Sequence, residues 1–146
     1  MALIILPDIY ARLVAHLQAA YPNEGAGLLL GHAGGGASGA DKTATDVLPL
    51  ANRFEPGEQH HRYLITAQDM LDGETKAEAL GLDVIGVFHS HPDHPAQASE
   101  YDREYALPWY SYLIVSIQKG QAADARVWVL ADDRSRFLEE PLRIQQ

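Results

Sequence analysis

Residues 86–102 read GVFHSHPDHPAQASEYD, an apolar run that ends in two histidines and is stopped by a proline. The pattern predicts a strand over Leu82–His91, with Pro92 turning the chain at its end. Side chains two apart on a strand face the same side, so His89 and His91 present their imidazoles together. Asp102, near the start of a short helix beyond the turn, is placed to bring a carboxylate back to them. Two histidines and one carboxylate, each about 2.0–2.2 Å from a shared ion, leave a fourth tetrahedral position open, as in catalytic rather than closed structural zinc sites. A plainer reading stands beside this one. Two histidines on a strand can be ordinary core or surface residues, and Ser99-x-x-Asp102 is by itself a capping box, with Ser99 as N-cap and Asp102 at N3. The readings are compatible, since a helix start can fix the Asp102 backbone while its carboxylate faces the histidines.

The remaining pattern frames this stretch. Ala2–Leu6 reads as a short strand. Residues 7–20 read as an amphipathic helix with Pro7 at its first position, Asp8 in its first turn, and Ile9, Leu13 and Leu17 on one face. Gly25–Gly31 (GAGLLLG) is an apolar run bounded by glycines, predicted to be a buried strand. Ala33–Ala40 is glycine-rich and reads as a turn. Strands are expected at Thr43–Leu50, His61–Ile65, Ser111–Ile117 and Val127–Ala131. A last edge strand over Phe137–Leu142 carries Pro141. A second helix begins after Thr66, whose spacing to Asp69 is that of a capping box, and Gly81 fits its C′ position. Strands and helices mix without a strict βαβ rhythm. The expected fold is α+β: a mixed, curved sheet flanked by two to three helices, in one domain over residues 1–146.

Composition removes several classes of function. The chain has no cysteine, which excludes disulfides and thiolate metal sites, so any transition metal is held by His, Asp or Glu. A net charge of -9 makes nucleic acid a poor partner, because phosphate binding runs on Lys and Arg. No apolar run approaches the roughly 18 residues of a membrane span, and the N-terminus lacks a basic region before its apolar start. No membrane association and a cytoplasmic location are therefore expected.

His89-x-His91, seven residues, Ser99, two residues, Asp102 resembles the signature of the JAMM (MPN+) zinc metalloproteases. The short form His-Ser-His-Pro-Asp-His-Pro is similar to the compact bacterial branch of that family. The family also places a glutamate upstream, beside a glycine and an apolar strand. Here that is Glu24, followed by Gly25-Ala26-Gly27-Leu28-Leu29-Leu30, with Ala26 where relatives often carry Cys. The resemblance implies one catalytic Zn2+ held by His89, His91 and Asp102. It implies Glu24 as general acid and base, and Ser99 as a hydrogen-bond donor to the developing oxyanion. It further implies an MPN fold with a layout like that of cytidine deaminases. The implied activity is hydrolysis of a peptide or isopeptide bond at the C-terminus of a ubiquitin-like sulfur-carrier protein, the expected partner. The alternative is a non-catalytic MPN scaffold, a kind of relative that has usually lost metal ligands. A zinc nucleobase deaminase needs cysteine ligands and is excluded by their absence. No His-Glu-x-x-His occurs either. His94 reads as exposed, and His60-His61 have no third ligand nearby in sequence.

Overall fold

The computed structural model describes residues 2–35 and 41–145. Strand β1 (Leu3–Ile5) leads into helix α1 (Pro7–Ala20), which buries Ile9, Leu13 and Leu17 as their four-residue spacing predicts. Strands β2 (Ala26–Gly35) and β3 (Asp41–Leu50) pair antiparallel. Helix α2 (Ala67–Ala79) opens on the predicted capping box: the Thr66 hydroxyl accepts from the Asp69 N–H, and the Asp69 carboxylate accepts from the Thr66 N–H. It closes with Gly81 at φ 71°, a left-handed position that glycine occupies without strain. Strand β4 (Asp83–Pro92), helix α3 (Glu100–Tyr105) and strands β5 (Ser111–Gln118), β6 (Gln121–Leu130), β7 (Phe137–Glu140) and β8 (Leu142–Ile144) follow.

The strands form one mixed sheet in the order β7-β6-β5-β4-β2-β3-β1-β8. Its two edge strands are separated in the chain by Pro141 alone, so the sheet must curl until its edges almost meet. Both faces are covered. Leu29 and Phe88 pack with Ile9, Leu13 and Leu17 of α1, whereas Leu28, Leu30 and Val87 pack with Ala77 of α2. This two-sided burial explains why β2 is a continuous apolar run rather than an alternating one. Each fully buried leucine contributes about 1.5–3 kcal/mol relative to exposure.

Three local expectations are corrected or bounded. His61–Ile65 is not a strand. Its backbone is tied instead by the Asn52 side chain, which donates to the Arg62 carbonyl and accepts from the Leu64 N–H. Phe137–Leu142 is not one edge strand but two. Pro141 has no N–H for a ladder, so the chain breaks there; β7 pairs with β6 and β8 pairs parallel with β1 at the far edge. The predicted glycine-rich turn is shorter than expected, because β2 runs on through Gly35; positions 36–40 lie outside the described residues.

Glycine is required where β4 begins its approach to the histidines. A Cβ on Gly86 would lie 2.1 Å from the Ser111 carbonyl oxygen of β5. Gly86→Ala must therefore push β4 and β5 apart. The expected cost is at least about 1–3 kcal/mol, the usual overpacking range, read as a lowered urea midpoint with unchanged m-value.

Candidate metal centre

Strand β4 delivers the two histidines. His89 is fully buried and His91 nearly so, with ring centroids 5.2 Å apart. Strand β2 delivers Glu24 through its register. Ala26 is paired with His89, so continuing the antiparallel ladder brings Gly25 opposite Ser90 and Glu24 beside His91. That continuation is hydrogen-bonded. The Gly25 N–H donates to the Ser90 hydroxyl (2.9 Å), and the Ser90 N–H donates to the Gly25 carbonyl (3.1 Å). The Glu24 backbone is held from its other side by the Gln59 carbonyl (2.7 Å) and the Asn52 amide (2.9 Å). Helix α3 delivers Asp102 by the capping box read from sequence. The Ser99 hydroxyl accepts from the Asp102 N–H (3.0 Å), and the Asp102 Oδ2 accepts from the Ser99 N–H (2.9 Å).

The four polar side chains converge. Glu24 Oε1 lies 3.6 Å from His89 Nδ1; Asp102 lies 3.7 Å from His89 Nε2 and 3.2 Å from His91 Nε2. Ligand atoms of Glu24, His89 and His91 all fall within 4.8 Å of one another. Two donors bound tetrahedrally at about 2.0–2.1 Å are themselves about 3.3–3.5 Å apart, which the Asp102–imidazole distances bracket.

Two features fit this group to a cation. Among the described residues, the only buried side-chain polar atoms without a hydrogen bond are His89 Nδ1 and Nε2. Buried polar groups left so are costly and call for a function. The second feature concerns His91. Its Nδ1 lies 2.9 Å from the Pro95 carbonyl, an acceptor only, so Nδ1 carries the proton. Nε2 of the neutral ring then turns a lone pair toward the Asp102 carboxylate at 3.2 Å. Such a contact is favourable only with a proton or a metal ion between the two, and a carbonyl-anchored imidazole is the usual orientation of a metal-binding histidine. Protonation follows the same logic. Burial works against charge on both partners, yet the Asp102 carboxylate raises His91 above the ordinary imidazole range. For Asp102, the neighbouring imidazoles and the Ser99 N–H outweigh burial and hold the carboxyl well below the usual carboxylate range.

The structure thus brings together every residue singled out from sequence: Glu24, His89, His91, Ser99 and Asp102. A cavity of about 300 Å³ opens on Glu24, His91 and Ser99, with His94, Pro92 and Pro95 also in its walls. The Ser99 hydroxyl, whose oxygen accepts from Asp102, keeps its own proton free for that cavity. His94 is exposed. His61 also reaches the cavity, but its ring nitrogens are engaged by His60 (2.8 Å) and Glu58 (2.9 Å).

Sequence reasoning missed Tyr63, Ser90, Asn52 and Gln59. The Tyr63 ring stacks on His89 at 4.4 Å and 26°, giving that imidazole the packing partner that its missing hydrogen bonds do not supply. Ser90, between the two histidines, shows nothing in sequence of its pairing with Gly25.

Comparison with known proteins agrees with the geometry. No curated protein matches the chain in sequence. The fold is similar to the solution structure of a protein from Desulfitobacterium hafniense, with a TM-score of 0.82, 25% identity, and coverage of 99% of this chain and 93% of that one. It is also similar to the solution structure of a protein from Salinibacter ruber, with a TM-score of 0.74, 38% identity, and coverage of 97% and 91%. The family model describing prokaryotic homologs of the JAB domain matches residues 6–131, from the end of the first strand past all the residues of the centre. This chain therefore belongs to the prokaryotic JAB-domain family, and it keeps a buried Glu24-His89-His91 group able to hold a metal ion.

Proposed function

We propose that this protein is a zinc-dependent hydrolase. It cleaves the peptide or isopeptide bond at the C-terminus of a ubiquitin-like sulfur-carrier protein and frees a Gly-Gly tail. The observation that carries the reading is the convergence of His89, His91, Asp102 and Glu24 in one buried group with orphaned imidazole nitrogens. In this reading His89, His91 and Asp102 hold the ion. Zinc, when bound in such a site, polarises a carbonyl and lowers the pKa of water to about 7.

The chain's own residues supply the rest. Glu24, buried at the wall of the first cavity, accepts the proton of the attacking water and passes it to the leaving amine. The Ser99 hydroxyl donates to the carbonyl oxygen as that oxygen gains charge. Asp102, kept ionised by its neighbours, remains a ligand throughout the physiological pH range. The Pro95 carbonyl fixes the His91 tautomer. A Gly-Gly tail suits the cavity at Glu24 and Ser99, since it carries no side chains to meet the walls. A non-catalytic scaffold would have no need of this full set of buried polar groups, which leave the metal-free protein with unsatisfied nitrogens.

The direct test offers a sulfur carrier extended beyond its Gly-Gly, with and without chelator, and reads its mass. The expected product is the carrier shortened to Gly-Gly, with cleavage lost on chelation and restored by zinc. Chelator-resistant cleavage, or an uncut carrier in the presence of zinc, contradicts the reading.

A further inference from the structure

Asp102 lines a second cavity, of about 420 Å³, which is walled mostly by aromatic and aliphatic side chains where the first has His, Glu, Gln, Ser and Pro. Its walls include Phe54, Tyr63, Val87, Tyr101 and Tyr112. Its rim is apolar and open to solvent, with Leu64, Leu107 and Tyr105 42%, 49% and 66% exposed. Two residues set it against the candidate metal centre: Asp102 is common to both, and Tyr63, in its wall, stacks on His89. A concave apolar site of this size with a few polar groups is the usual form of a small-ligand pocket.

One of those polar groups is Arg62, the single basic residue in the lining. Its guanidinium lies over the Tyr101 ring, 4.6 Å from the centroid. The ion pairs of the described arginines do not include it. On a chain of net charge -9, an arginine held on an aromatic face at a cavity, without a carboxylate of its own, is arranged to receive one from a ligand.

A scissile bond at the metal centre therefore has two different surroundings: a cavity at Glu24 and Ser99, and an aromatic one on the other side of Asp102. We propose that the aromatic cavity binds the residue released by hydrolysis. That residue is chain-terminal, with an apolar and preferably aromatic side chain among Phe54, Tyr101 and Tyr112 and its free α-carboxylate on Arg62. This rests on the hydrolytic reading and adds the chemical class of the leaving group. In the step, the amide C–N bond breaks, the oxygen of water joins the carbonyl carbon, and the leaving amine takes a proton from that water. An aromatic ring suits the walls because edge and offset contacts with other rings add to its burial. The carboxylate distinguishes a chain end from an internal residue.

The test uses the zinc-loaded full chain and peptides of one sequence ending in Gly-Gly-Phe, Gly-Gly-Phe-amide, Gly-Gly-Ala and Gly-Gly-Asp. Release is measured as kcat/KM, and binding is measured separately as Kd from shifts of the Arg62 and tyrosine resonances. The free Phe end is expected to exceed the amide by about tenfold to hundredfold, the worth of a charge-assisted hydrogen bond. It is expected to exceed Ala by at least about tenfold, with Asp the poorest. Arg62→Gln should bring the acid-to-amide ratio near one. Equal cleavage of all four peptides overturns the subsite and leaves the hydrolytic reading intact. Acid-selective binding of the Phe end without cleavage of any peptide supports the subsite and overturns that reading. Neither binding nor cleavage overturns both.

Discussion

Glu24→Gln is expected to leave the zinc content of the protein unchanged while lowering turnover of a Gly-Gly-extended carrier by about 10²–10⁴-fold, the usual contribution of a positioned general acid and base. The substitution keeps the shape of the side chain and removes only its capacity to take a proton. The fold should not notice, because the position is held through its backbone by Gln59, Asn52 and the Gly25–Ser90 pairing. The experiment also separates two arrangements that the distances allow. Glu24, His89 and His91 lie close enough to share an ion among themselves, and Asp102 reaches both imidazoles. Loss of zinc in Glu24→Gln would make Glu24 a ligand. Unchanged turnover would remove it from proton transfer.

His89→Leu is expected to reverse the order of stability with the metal. In chelator, the variant should melt above the wild type. The two nitrogens of His89 are buried without hydrogen bonds, a defect of about 1–3 kcal/mol that an apolar side chain of similar size removes. For a chain of this length that is a rise of about 3–10 °C, reduced by the lost stacking on Tyr63 and by the lost attraction of the imidazole for the buried Glu24 and Asp102 carboxylates 3.6 and 3.7 Å away. In excess zinc the wild type should gain about 2.7 kcal/mol at a hundredfold excess over Kd, and the variant nothing. A crossing of the two melting temperatures on adding zinc is the signature of a residue retained for binding at the expense of stability. If His89→Leu melts below the wild type by the same margin with and without zinc, His89 is a packing residue.

What was legible in the sequence was what short-range chemistry decides. The same-face placement of His89 and His91 follows from the period of a strand. The anchoring of Asp102 by Ser99, and of Asp69 by Thr66, follows from capping boxes complete within four residues. The face of α1 follows from Ile9, Leu13 and Leu17. What was not legible depends on register between distant segments. Sequence resemblance singles out Glu24, but its approach to His89 is set by the pairing of Ala26 with that residue across two strands. Residues 61–65 have the composition of a strand, yet the Asn52 side chain takes the hydrogen-bonding places of a neighbouring strand. Tyr63 then becomes free to lie on His89. The break at Pro141 is local, but the crossing of β8 to pair with β1 depends on how far the sheet curls, a property of all eight strands that no local pattern carries.

The proposed hydrolysis depends on a single cation gripped by His89, His91 and Asp102. That grip is measured by stripping the purified protein with chelator, reloading it with zinc, dialysing, and determining metal per folded chain in the wild type and in Asp102→Ala. One zinc per chain is expected in the wild type and a small fraction of that in the variant. A wild-type protein that folds and retains no zinc, or an Asp102→Ala protein that retains as much as the wild type, would contradict it.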